Sequence, residues 1–109
     1  MKTETKTDSK EFVANHLAQP INQLTEVLYE LLKYYKRGVS RRDFMISCWI
    51  LNAPHHIMTL RRLYNLTIIN DDMKTKNKFG RGTSFTYYKL QDFKKAVELY
   101  NKLNPKNDV

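Results

Sequence analysis

Apolar residues recur from Ile21 onward at Leu24, Leu28, Leu31 and Tyr35, three or four apart, which places them on one face of an α-helix. Pro20 suits the first position of that helix. The basic "KYYKRG" suits its negative end, with Gly38 as the stop. Upstream, Ser9 to Ala18 has the pattern of a shorter helix with Phe12, Val13 and Leu17 inward, broken at Gln19-Pro20. Downstream, Ser40 with Asp43 three residues on forms a capping-box-like start for a helix containing Phe44, Met45, Ile46, Cys48 and Trp49. "LNAP" interrupts it, because Asn52 favours a turn and Pro54 drives the residue before it out of helical geometry. Pro54 then opens "PHHIMTLRRLY". Two helices parted by a few residues have the helix-turn-helix layout.

The period then changes to two. "LTII" (Leu66 to Ile69) reads as a β-branched strand and "SFTYYKL" (Ser84 to Leu90) as a second. In the second strand Thr86, Tyr88 and Leu90 share one face, and Phe85 and Tyr87 the other. Between them lies a basic loop too long for a tight hairpin. A final helix, Gln91 to Leu103, aligns Phe93, Ala96, Val97, Tyr100 and Leu103 and ends before Pro105. The predicted fold is mainly α with a small β-hairpin, an α+β winged helix-turn-helix with an extra C-terminal helix. The "GV" before Ser40 is placed to give a small third strand. Residues 9–103 form one domain, 1–8 a disordered lead and 104–109 a tail.

Composition sharpens the class. A chain of 109 residues with 41% apolar and 12% aromatic content fits one globular domain. The single cysteine, Cys48, excludes an internal disulfide and leaves no CxxC pair for zinc, which points to a reducing, cytoplasmic setting. No apolar run reaches the roughly 18 residues of a membrane span, and the polar N-terminus lacks a signal-peptide core. The net charge of +8 is concentrated: residues 33–89 hold twelve Lys or Arg against three acids. That excess points to a polyanionic partner, nucleic acid before membrane.

Advancing 100° per residue along the helix after the turn, Ile57, Leu60 and Tyr64 fall within about 60° and define its buried side. His55, Met58, Thr59 and Arg62 lie opposite, His56 shares a flank with Leu63, and Arg61 sits at the other edge of the core face. Arg reads guanine edges or phosphate, Thr contacts phosphate or the thymine methyl, and His can do either. The candidate DNA-binding set on this helix is therefore His55, His56, Thr59 and Arg62, with His55 and Thr59 foremost in a major groove. Arg61 either pins the hairpin through a hydrogen bond or touches DNA. The adjacent His55 and His56 diverge by 100° and have no third ligand nearby, so no metal site is expected. Cys48 has no basic partner at helical spacing and reads as packing rather than a nucleophile. With no acid pair suited to general acid–base work, no enzyme and no cofactor are expected.

In "MKTKNKFGRGTSFTYYKL", Met73 to Leu90, "FGRG" lacks the GK[ST] ending of a phosphate-binding loop and precedes a strand rather than a helix. Gly80 and Gly82 permit the positive φ angles of a hairpin tip. Lys74, Lys76 and Lys78 alternate, so a strand would point all three to one face, with Arg81 at the tip. Such a row suits a phosphate backbone or a narrow minor groove.

"HIMTLRRLYNLTII" followed by "KNKFGRGTSFTYYKL" resembles the winged helix-turn-helix domain that recurs in small phage, prophage and mobile-element proteins. The resemblance covers roughly Ile21 to Leu90 and rests on Ile57, Leu60 and Arg61 in the helix, on Lys76, Phe79, Gly80 and Arg81 in the wing, and on Tyr88 and Leu90. Many relatives carry a Gly-Tyr pair just after the helix, where this chain has Tyr64-Asn65, so a different turn is expected there. The resemblance implies double-stranded DNA binding, often in the transcriptional or replication regulation of a mobile element. Ser40, Arg41 and Arg42 would clamp phosphate at the start of the preceding helix. The alternative is a protein-interaction module on the same fold, such as a phage-encoded inhibitor of a host nucleic-acid enzyme. Phe93, Val97 and Tyr100 are the candidate seam of a homodimer.

Overall fold

The computed structural model describes residues 17–104. Its elements run α1 (Gln23–Lys33), β1 (Val39–Ser40), α2 (Arg41–Cys48), α3 (Ala53–Leu63), β2 (Ile68–Lys76), β3 (Gly82–Leu90) and α4 (Phe93–Leu103). The described chain is thus α+β, four helices with one antiparallel sheet in the order β1-β3-β2. The helix expected over Ser9 to Ala18, the disordered lead and most of the C-terminal tail fall outside the described residues, except that Leu17 and Ala18 are not helical.

α1 begins three residues later than Pro20 because Asn22 caps it. The Asn22 side chain accepts from Thr25 N–H at 2.9 Å, and Thr25 Oγ1 accepts from Asn22 N–H at 3.1 Å. Ile21 therefore lies outside the helix and is exposed rather than inward. Val27, Leu28, Leu31 and Leu32 form the centre of the core, joined by Phe44, Ile57, Leu60, Leu90, Ala96 and Tyr100 from four other elements. At the end of the turn after α1, Gly38 sits at φ +85°, and a Cβ there would lie 2.7 Å from Lys89 Cγ and 3.0 Å from the Tyr88 carbonyl oxygen. Only glycine lets the chain pass so close to β3 in that conformation.

The "GV" segment does supply a short strand: Val39 pairs with Tyr88 and Ser40 with Tyr87. α2 opens on the expected capping box, Ser40 Oγ accepting from Asp43 N–H and Asp43 Oδ2 accepting from Ser40 N–H. Of its apolar residues only Phe44 is buried; Met45, Ile46 and Trp49 are exposed. The reason is geometric. Consecutive residues fan out by 100°, so in an eight-residue helix Phe44 and Cys48 can share the inner face and their neighbours cannot. Trp49 ends the helix at φ 58° and is 84% exposed.

The hairpin is longer and tighter than the spacing predicts. β2 starts at Ile68, after the buried Leu66, and runs to Lys76 in unbroken register with β3, from Ile68 opposite Leu90 to Lys76 opposite Gly82. The expected long loop shrinks to the turn Asn77–Arg81. Arg61 anchors the hairpin's base: its Nε and Nη2 donate to the Ile68 carbonyl at 3.0 and 2.6 Å, and Nη2 also reaches Asn70 Oδ1. In the turn after α3, Asn65 takes the left-handed conformation at φ 54°, which asparagine tolerates. Leu66 N–H then bonds back to the Leu60 carbonyl and closes the helix.

α4 starts at Phe93, capped by Asp92, and packs on its own domain. Tyr100 is fully buried and donates its hydroxyl to the Ala18 carbonyl, while the Asn104 amide donates to the Gln19 carbonyl at 2.8 Å. Phe93 meets Tyr35 edge to face at 5.0 Å, and Val97 is half-buried against the core. Of the residues expected as a dimer seam, Tyr100 is fully buried in its own domain, and Phe93 and Val97 are half-buried.

Candidate nucleic-acid interface

Three elements converge on one surface tract. The start of α2 (Ser40, Arg41, Arg42), the start of α3 (Pro54) and the middle of β3 (Ser84 to Thr86) line a common hollow. A neighbouring hollow joins Arg41 and Arg42 to Met45, Leu51 and Phe85. Along the hairpin, Lys74, Thr75 and Lys76 face Gly82, Thr83 and Ser84 across a third depression. Ser84 borders both the first and the third, so the tract is continuous from the hairpin's outer half to the starts of the two helices.

The cations along it are available. Arg41, Arg42, Lys74 and Lys76, which line it, are exposed, as are Lys78 and Arg81 in the hairpin turn and Arg62 on α3. Among the described residues none of them forms a salt bridge; the ion pairs are Arg37 with Asp43 at 3.2 Å and Lys89 with Asp71 at 2.7 Å. Asp72, the remaining acid of β2, accepts from the Thr86 hydroxyl at 2.7 Å. Alternation from the buried Ile68 puts Lys74 and Lys76 on the core-side face of the ribbon. Lys78 does not join them as expected. It lies in the turn, beyond the last paired residue, with its ammonium 5.2 Å from the Phe79 ring centroid.

On α3 the buried side is Ile57 and Leu60, as the 100° spacing predicts, and His55, Met58 and Arg62 are exposed opposite. Thr59 is half-buried, and its hydroxyl donates to the His55 carbonyl at 3.1 Å, leaving its oxygen lone pairs and methyl for contact. His56 is turned elsewhere than expected: its Nε2 lies 3.1 Å from Gln23 Oε1 on α1, so the ring bridges two helices. Burial, and then the neighbouring His55, lower its pKa. Ser40 also departs from the expected set. Its side chain caps α2 and is buried, so Arg41 and Arg42 are the groups there that can reach phosphate.

The sequence pattern did not single out Phe85, Leu51 or Trp49 as surface. Phe85 borders the basic hollow, and Trp49 and Leu51 are 84% and 69% exposed. A signal existed in the run from Phe44 to Leu51, too densely apolar for one face of a short helix. Cys48 is half-buried and its thiol is pushed up to about 11 by burial and by Glu30, which keeps it protonated at neutral pH and poorly nucleophilic. Among the described residues no three His, Cys, Asp or Glu side chains group as metal ligands, and no helix is long and apolar enough to cross a membrane. Compared with known proteins, the chain matches no family model, no curated protein and no solved structure.

Proposed function

We propose that this protein is a non-enzymatic double-stranded DNA-binding protein built on a winged helix. The exposed face of α3 enters the major groove, the β2–β3 hairpin is the wing on the adjacent backbone or minor groove, and Arg41 and Arg42 clamp phosphate at the start of α2. The observation that carries the reading is the basic tract, unpaired among the described residues, which links the hairpin lysines through Ser84 to the starts of α2 and α3. The order helix, strand, helix, helix, strand, strand and the sheet order β1-β3-β2 support the winged-helix assignment. By the resemblance in its sequence, its role is transcriptional or replication regulation in a phage or other mobile element.

A second reading has an observation of its own. Met45 and Leu51 line the basic hollow with exposed apolar surface, and Ile46 and Trp49 are exposed on the same segment, as in a protein-binding module. A gel-shift comparison of random duplex, single-stranded DNA and RNA separates the two. Under the DNA reading the chain retains duplex best, and the double reversal Lys74→Glu with Lys76→Glu abolishes retention. Retention of duplex that survives the reversal would turn the assignment toward the protein-binding module.

A further inference from the structure

Phe79 is 82% exposed and contributes nothing to the core. It stands at the end of a ribbon whose strands are nine residues each, about 30 Å at the usual rise per residue. Beyond the β1 pairing at Tyr87, β3 is hydrogen-bonded to β2 alone, so the outer half projects as a two-stranded arm. The tip that carries Phe79 is built. Asn77 Oδ1 accepts from the N–H groups of Phe79 and Arg81 at 2.9 and 3.0 Å, and Asn77 N–H donates to the Arg81 carbonyl at 2.9 Å. Gly80, at φ +85° with open space around it, completes the turn with a bond to the Asn77 carbonyl. Four backbone and side-chain bonds thus fix the turn that carries the exposed ring.

Lys78 sits over the ring, its ammonium 5.2 Å from the centroid, and Lys76 and Arg81 are close to Phe79 in the sequence. The nearest acids of the hairpin, Asp71 and Asp72, lie toward its base and are engaged by Lys89 and Thr86. An apolar blade among unpaired cations fits a polyanion that has apolar gaps between its charges, which describes the base stack of a duplex seen through the minor groove. A lipid surface fits less well: the tip offers one apolar side chain, and the cations are not confined to the tip but continue down the ribbon to the helix starts.

We infer that Phe79 is a wedge, inserting between base pairs from the minor groove and kinking the duplex. This rests on the DNA-binding reading above and adds a deformation that phosphate contacts alone do not produce. Pyrimidine–purine steps unstack most easily, so insertion favours a TA or CA step over an A-tract.

The test uses the full chain and duplexes of about thirty base pairs with a dye at each end, one set with a central TA step and one with an A-tract. Saturating protein raises energy transfer on the TA duplex. Phe79→Ala, which leaves the core untouched and is checked by circular dichroism, binds with the same salt dependence and an affinity roughly tenfold lower, and loses the rise. Phe79→Leu keeps much of it. Binding by the full chain with no rise, or an equal rise with Phe79→Ala, would overturn the wedge and leave DNA binding intact. Failure of the full chain to hold either duplex at low salt would overturn both readings, and phosphatidylserine vesicles bound in a Phe79-dependent way would then reassign the tip to a lipid surface.

Discussion

Arg61 decides the position of the hairpin through three hydrogen bonds, two to one carbonyl of β2 and one to Asn70. Its place at the edge of the core face left pinning and DNA contact both open; the geometry selects pinning, since the guanidinium's inner edge is fully engaged. Arg61→Met removes these bonds and is expected to destabilise the chain by about 1–3 kcal/mol in urea titration. No change in the midpoint would show that the hairpin is held by packing alone. His56 gives a pH signature. Its pKa is lowered in the fold, so the unfolded chain binds more protons, and the related stability is present above the ordinary imidazole value of about 6.5 and is lost as pH falls from there through the lower folded value. His56→Gln keeps an amide able to bond Gln23 and should flatten the fall in melting temperature between about pH 7.5 and 5.5. An unchanged acid sensitivity would assign the effect to another group.

Gly38 ties two elements together, because the turn after α1 runs against β3 where a side chain would collide with Lys89 and Tyr88. Gly38→Ala is expected to cost about 2 kcal/mol, read by thermal melting, from the positive φ and the contact together. A melting temperature equal to the parent's would mean that the Lys89 side chain simply yields. At this scale the sequence was legible wherever one period was sustained. α1, α3 and α4 follow their three-and-four spacing, and the Ser40–Asp43 box marks the start of α2 to the residue. It was less legible where structure comes from pairing. "NDDMKTK" has little intrinsic strand preference and is a strand because β3 supplies its partner residue by residue. The faces of α2 were unreadable because apolar residues occur on every side of it, and Trp49 looked like core only by its chemistry.

At the scale of the whole molecule, the net charge of +8 is organised by the fold rather than spread over it. Cations near carboxylates are paired, as Arg37 and Lys89 are, whereas Lys74, Lys76, Lys78 and Arg81 in the outer half of the hairpin and Arg41 and Arg42 at the α2 start have no carboxylate partner among the described residues. The candidate cations were largely legible from position in the sequence. Their union into one tract was not, since Arg41 and Ser84 meet only through the β1–β3 pairing. Beside the tract lies the apolar surface of Met45 and Leu51, which is where a protein partner would compete. The most direct measurement of the central claim is the dependence of duplex affinity on salt. About six phosphate contacts give a slope of log affinity against log salt near −5, and neutralising two of them with Lys74→Gln and Lys76→Gln makes that slope shallower by about two. Affinity unchanged between low and moderate salt, or a slope indifferent to the two lysines, would contradict the account.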